Sequence, residues 1–162
     1  MSSRAAWRLE TLGFAAVYRY VAGKIDWMAA GLATEGELAG EPRIGSLAVA
    51  DVPTCRLGQR IGEIDADLCV VVNEGGVILG DLRGKAFEAD PNALVDDVMN
   101  PAPATFRPYV SVHAMAHHMQ KNDSRRVLVS DANGRLVGLL RREDVERALH
   151  ASHTGGPVLA SK

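Results

Sequence analysis

The strongest constraint on this chain is that most of it is written twice. Thr54-Cys55-Arg56 is matched by Thr105-Phe106-Arg107, and Ile61 and Ile64 by Val112 and Met115. Cys69 to Val72 is matched by Val127 to Ser130. Gly76-Val77-Ile78-Leu79-Gly80 is matched by Gly134-Arg135-Leu136-Val137-Gly138, and Leu82-Arg83 by Leu140-Arg141. Matched positions lie 51 residues apart at Thr54 and 58 apart at Gly80, so the first copy lacks seven residues in its middle. Seven residues are about two helical turns, so a helix shortened by that amount keeps its apolar face in phase.

The second copy shows what the repeated unit is. Val127 to Val129 and Leu136 to Leu140 are apolar runs separated by the turn residues Asp131-Ala132-Asn133-Gly134. That pattern predicts a β-hairpin. Val145, Ala148 and Leu149 then recur at helical spacing. Asp144 falls in the first turn, where the helix dipole favours a carboxylate. Gly138, inside the second strand, marks a bulge or a close approach of another group. Each copy reads strand, helix, strand, strand, helix. Asp90 and Pro91 predict a helix from Pro91 to Met99 that bridges the copies. Pro101, Pro103 and Pro108 keep the next lead-in extended.

Ahead of the repeats, Ala5 to Leu12 predicts a helix ended by Gly13, and Phe14 to Val21 a strand. Ile25 to Ala30 predicts a short helix, and the Gly- and Glu-rich stretch from Leu32 to Arg43 a linker. A piece of this size cannot bury a core alone.

Composition narrows the function. The chain has 162 residues, 47% of them hydrophobic, and a net charge of −2. It therefore has no overall basic field for nucleic acid. No apolar run reaches the length of a membrane span or resembles a secretory leader, so a cytoplasmic protein is expected. Cys55 and Cys69 make no disulfide framework and read as reduced, partly buried thiols. His113 and His117 lie four apart on one predicted helix face, with His118 beside them. Such a pair holds a metal only with a third ligand, and none is apparent, so no metal is expected. No nucleophile triad, P-loop or paired-carboxylate site can be assembled, so no enzyme is expected. Arg125, Arg126, Arg135, Arg141 and Arg142 gather at the second hairpin. They suit a phosphate or an acidic partner, or form a solvated edge that discourages strand pairing between molecules.

Two resemblances follow. The segments SSRAAWRLETLGF and VYRYVAGKIDWMAAGLATEG, within Ser2 to Gly36, resemble the last third of a rhodanese domain, with Gly23, Trp27 and Gly31 in its glycine–tryptophan segment. The nucleophilic cysteine of that family belongs to a loop upstream of this stretch. The resemblance therefore implies a structural remnant, and a sulfurtransferase is disfavoured. The tandem repeat, with VMNPAPATFRP leading in and GRLVGLLRREDVERAL leading out, resembles a pair of CBS domains, a Bateman module. The implied fold is α+β, two β-α-β-β-α repeats with pseudo-two-fold symmetry plus a small N-terminal α/β appendage. The divisions are 1–36 for the remnant, 37–43 for a linker, 44–90 and 91–150 for the two repeats, and 151–162 for a flexible tail.

The CBS resemblance implies a regulatory module that binds AMP, ADP or ATP between the repeats, forms homodimers and controls a partner the sequence does not name. The family pattern G-x-x-T-x-x-D falls on Gly138 to Asp144, with Asp144 as the ribose acid and Arg141 at the hydroxyl position. In the first repeat the acid is replaced by Ala86 and the hydroxyl by Arg83. The expected nucleotide contacts are Asp144, Arg141, Arg142, Gly138, Thr105 and Phe106, in one site per chain. Arg141 and Arg142 also read as ordinary solvated charges, and Asp144 as only a helix-start acid. The module is then a degenerate pair serving only as a dimerising interaction surface. An apolar surplus on the predicted helices (Leu94, Val95, Val98, Met99, Val112, Met115 and Met119) supports the homodimer.

Overall fold

A computed structural model describes residues 3–18, 27, 28, 32 and 41–154. Two small mixed sheets form its centre. The first is ordered β1-β2-β3-β4, from Thr54–Cys55, Leu68–Val72, Ile78–Arg83 and Asn100–Pro101. The second is ordered β5-β6-β7, from Thr105–Phe106, Arg126–Ser130 and Leu136–Arg141. β1 runs parallel to β2 and β5 parallel to β6, while β2–β3 and β6–β7 are antiparallel hairpins. The helices are α1 (Ser3–Thr11), α2 (Val95–Val98), α3 (Val112–Lys121) and α4 (Arg142–Thr154).

The hairpins are alike because their turn chemistry is alike. Asn73 Oδ1 accepts from the Gly75 and Val77 amides, and Asp131 Oδ1 from those of Asn133 and Arg135. A left-handed glycine follows in each, Gly76 at φ +77° and Gly134 at φ +78°. The two turns also bond to each other. The Ile78 amide donates to the Gly134 carbonyl at 3.0 Å and the Leu136 amide to that of Gly76 at 2.9 Å. Val52, Leu68, Val70, Val72, Leu128 and Leu139 form the apolar seam between the sheets.

Each repeat lends its lead-in to the other. Ile44 is fully buried with Met115, Met119 and Leu140 in the core of the second repeat. Val95 is fully buried with Cys55, Cys69 and Leu82 in the core of the first. Val49 bridges to Leu139 at one sheet edge, and β4 pairs with Gly80 and Asp81 at the other. Two glycines permit this. A Cβ on Gly138 would stand 2.6 Å from the Val49 carbonyl oxygen, and one on Gly80 would stand 2.6 Å from the Met99 sulfur. The close approach expected at Gly138 is therefore made by this chain's own backbone.

The seven-residue difference falls where expected. The second repeat carries the ten-residue α3, capped by Ser111 Oγ on the Ala114 amide. The first carries only the 3-10 turn Ile61–Glu63 there. Its last helix is also 3-10, Gly84–Glu88, whereas the second repeat has the thirteen-residue α4.

Several expectations are corrected. The helix from Pro91 to Met99 shrinks to α2, because the Pro91 and Ala93 carbonyls accept from Gly62 and Ile61 and that backbone serves the first repeat. Asp90 closes a turn on the Asn92 amide instead of capping a helix. Phe14–Tyr18 is not strand. α1 ends in a Schellman turn, with Phe14 N–H on the Leu9 carbonyl and Gly13 N–H on that of Glu10. The rest of the Phe14 to Val21 strand lies outside the described residues, as do most of the Ile25 to Ala30 helix, the linker and the end of the tail. Trp27 and Met28 are helical. The apolar surplus is largely absorbed, since Val95, Val112, Met115 and Met119 are buried in this chain's own cores, while Leu94 stays 38% exposed.

Candidate functional site

The swapped lead-ins decide which residues meet. A cleft of about 130 Å³ opens between the repeats. The first repeat contributes Leu68, Asp81 and Arg83, and the second contributes Phe106, His118, Ser124 and Arg126. Leu128 and Leu139 line it as well, and the Phe106 and His118 rings meet edge to face with centroids 4.6 Å apart. The cleft runs on into a groove of about 320 Å³, which shares Leu68, Arg83, Ser124 and Arg126 and adds Asp123 and Arg125.

Charge is graded with depth. Asp81 is fully buried on β3. Its Oδ2 accepts from Arg83 and its Oδ1 from Asn100 Nδ2 at 3.0 Å. The arginines stand at the mouth, with side chains 53% exposed for Arg83 and 40% for Arg126. Arg126 also donates to Asp67 at 3.0 Å. That hydrogen bond and the charges of Arg126 and Arg141 hold the Asp67 carboxyl below its usual range.

The six residues expected to share one site fall in different places. Phe106 lines the cleft. Thr105 accepts from Ser130 Oγ at 2.9 Å in a network that Arg107 completes. Gly138 lies against Val49. Arg142 is a strut: Nη2 donates to the Met119 carbonyl at 2.8 Å and Nε to that of Ser124 at 3.0 Å, closing the end of α3. Arg141 lines a further groove of about 340 Å³ with Arg125, Arg126, Arg142, Glu143 and Glu146, which shares Arg126 with the mouth of the cleft. Asp144 accepts from Arg147 at 2.8 Å and lines none of these hollows.

The sequence grouped Phe106 with Asp144 because both belong to the second repeat. The fold instead makes Phe106 line one cleft with Asp81 and Arg83 of the first repeat's β3. Asp81 and Ser124 are the cleft residues that reading missed; Arg83, His118 and Arg126 it named, but as the altered hydroxyl position, a neighbour of the histidine pair and part of an arginine cluster, and not as parts of one cleft. One signal was available: Asp81 stands in an apolar strand where the second repeat has Leu139. Cys55 and Cys69 are free and buried in the first repeat's core, where the hydrogen bond between them and then burial push the Cys69 thiol up. Among the described residues no three His, Cys, Asp or Glu side chains gather as a metal site, and no helix is long and apolar enough to cross a membrane.

Comparison with known proteins agrees with this architecture. The CBS domain family model matches residues 95–151. Over 107 residues the chain is 33% identical to inosine-5′-monophosphate dehydrogenase of Mycobacterium tuberculosis, covering 59% of this chain and 20% of that enzyme. The chain thus spans about a fifth of the length of the curated relatives it matches. It superposes on the cytosolic domain of the Mg2+ channel MgtE in complex with ATP with a TM-score of 0.61 and 26% identity, over 68% of this chain and 51% of that one. It superposes on CBSX2 from Arabidopsis thaliana in complex with AMP with a TM-score of 0.58 and 18% identity, over 69% and 98%. Residues 95–151 match the CBS domain family, and the two repeats together have the α+β fold of a CBS-domain pair.

Proposed function

We propose that this chain is a non-enzymatic, ligand-sensing CBS pair that binds an adenine nucleotide in the cleft between Phe106 and Arg83. The observation that carries this reading is the cleft's composition. An apolar interior of Phe106, Leu68, Leu128 and Leu139 suits a base, and Arg83 and Arg126 at the mouth suit phosphate oxygens. The ATP and AMP complexes of the two structural neighbours support the ligand class. The Asp144 side is the poorer candidate: the register that puts Arg125 and Arg126 at the start of β6 puts Asp67 and Leu68 at the start of β2. There is then one site per chain, and its ribose acid is lost to Ala86. The module acts as a homodimer on a partner protein, and Ser2 to Gly36 is a rhodanese-derived structural segment.

Calorimetric titration with AMP, ADP and ATP tests the site. Wild type binds at least one of them. Arg126→Ala weakens binding about tenfold or more, through loss of a charge-assisted contact. Asp144→Ala leaves binding unchanged. No heat with any of the three at millimolar concentration rejects the sensing reading. It then leaves the degenerate interaction module, which the existing pairing of Arg83 with Asp81 and of Arg126 with Asp67 favours.

A further inference from the structure

We infer that the arginines at the open end of the β6–β7 hairpin read the length of the ligand's phosphate chain, with Arg125 taking the terminal phosphate of a nucleoside triphosphate; this deepens the adenine-nucleotide reading of the cleft and rests on it. The hairpin register forces the cluster together. Arg126 stands directly opposite Arg141 across β6 and β7, and the Arg142 amide donates to the Arg125 carbonyl at 2.9 Å. Like charges facing each other across a strand pair cost stability. The first repeat avoids that cost: Leu68 stands opposite Arg83, and Asp67 occupies the place of Arg125. Nor do these arginines guard a sheet edge, since β6 is the central strand of its sheet. Neither strand pairing nor edge protection therefore calls for the cluster, whereas an anion relieves it.

Three of the four arginines already have partners. Arg126 is held by Asp67, Arg142 by Asp123 and two carbonyls, and Arg141 lies 3.7 Å from Glu143. Arg125 is exposed, and its side chain has no hydrogen bond or ion pair among the described residues. It lines both grooves, the one of about 320 Å³ that continues the cleft and the one of about 340 Å³ beside Arg141. The cleft, at about 130 Å³, is the smallest of the three hollows. A phosphate chain that passes Arg126 at its mouth therefore runs into the groove where Arg125 stands. The acids leave that path open. Glu143 and Glu146 line only the larger groove, and Asp123, the acid of the nearer one, is paired with Arg142. A guanidinium takes phosphate oxygens two at a time. One phosphate is met by Arg126, and a chain of three reaches on to Arg125.

The test titrates AMP and ATP by calorimetry, with a chelator present so that no divalent cation covers the phosphates. Wild type is expected to prefer ATP about tenfold or more, the scale of one charge-assisted contact. Arg125→Gln is expected to weaken ATP about tenfold and AMP by less than about threefold, which removes most of the preference. Lys121→Gln removes an exposed cation at the end of α3 that lines none of the three hollows. It is expected to weaken ATP by less than about threefold, as a charge acting only through solvent does. Equal affinities in wild type, a preference that survives Arg125→Gln, or an equal loss in Lys121→Gln overturn the inference while leaving nucleotide binding intact. If wild type binds neither ligand, the nucleotide reading falls and the inference with it.

Discussion

The two repeats share hairpins, turns and register but differ in their roofs. The second is covered by α3 and α4, which run side by side over Met115, Met119, Leu140 and Val145. The first has two 3-10 turns there, and the borrowed α2 with Phe87 and Met99 completes the cover. Removing two turns of helix left the first core closed but changed what stands at its edge. The second repeat holds His118 and Ser124 beside the cleft. The first repeat's missing turns supply no counterpart to His118, and Ala66 stands where Ser124 does. One copy therefore lines the cleft with His118 and Ser124, and the other with Asp81 and Arg83.

The largest expected effects test whether the roofs differ in stiffness. Leu82 and Leu140 occupy the same place in the two repeats, and both are fully buried. Truncating either to alanine should cost about 2–5 kcal/mol. Leu140→Ala should lie at the upper end, since a two-helix roof collapses less readily than short turns. Equal costs in urea unfolding would show that the first repeat is as rigid as the second.

Next come the glycines under the crossing lead-ins. At Gly138 the added methyl meets the fixed Val49 backbone, at Gly80 the movable end of Met99 with the Asn100 carbonyl at 3.0 Å. Gly138→Ala should cost about 1–3 kcal/mol, and Gly80→Ala less. Thermal melting of the two variants reads the order directly.

The smallest effect concerns the charge that separates the repeats' outer ends. Because Asp67 is held below its usual pKa of 3.8, its pair with Arg126 favours the fold above the carboxylate range. That contribution is lost as pH falls through the lowered value. Asp67→Asn should therefore lower the melting temperature slightly at pH 7 and not below the carboxylate range. The Asp67 side chain is 81% exposed, so high salt should erase the difference.

Local chemistry made the repeats legible. Asn73 and Asp131 fix their turns through bonds to amides two and four residues on, so sequence alone placed both hairpins. The site was less legible because it depends on which copy's lead-in lies on which sheet. Gly138 read as a place for a close approach, which was right, but the group that approaches is Val49. Asp90 and Pro91 carry helix-start chemistry, yet the carbonyls that would propagate a helix are taken by Ile61 and Gly62. Arg142 resembled a phosphate ligand because its partners, the Met119 and Ser124 carbonyls, become neighbours only when α3 docks.

The exchange of lead-ins also sets an order of events during synthesis. As the chain emerges, β1 to β3 are made first, but their core stays open until Val95 arrives and their edge until β4 does. Val49 waits longer, for Leu139. Such distant pairings slow folding, because the loop between them must close before they contribute. Neither repeat is a finished half that could be released alone. Cutting between residues 90 and 91 should give two fragments that fold only when mixed, and the intact chain should unfold in one cooperative step.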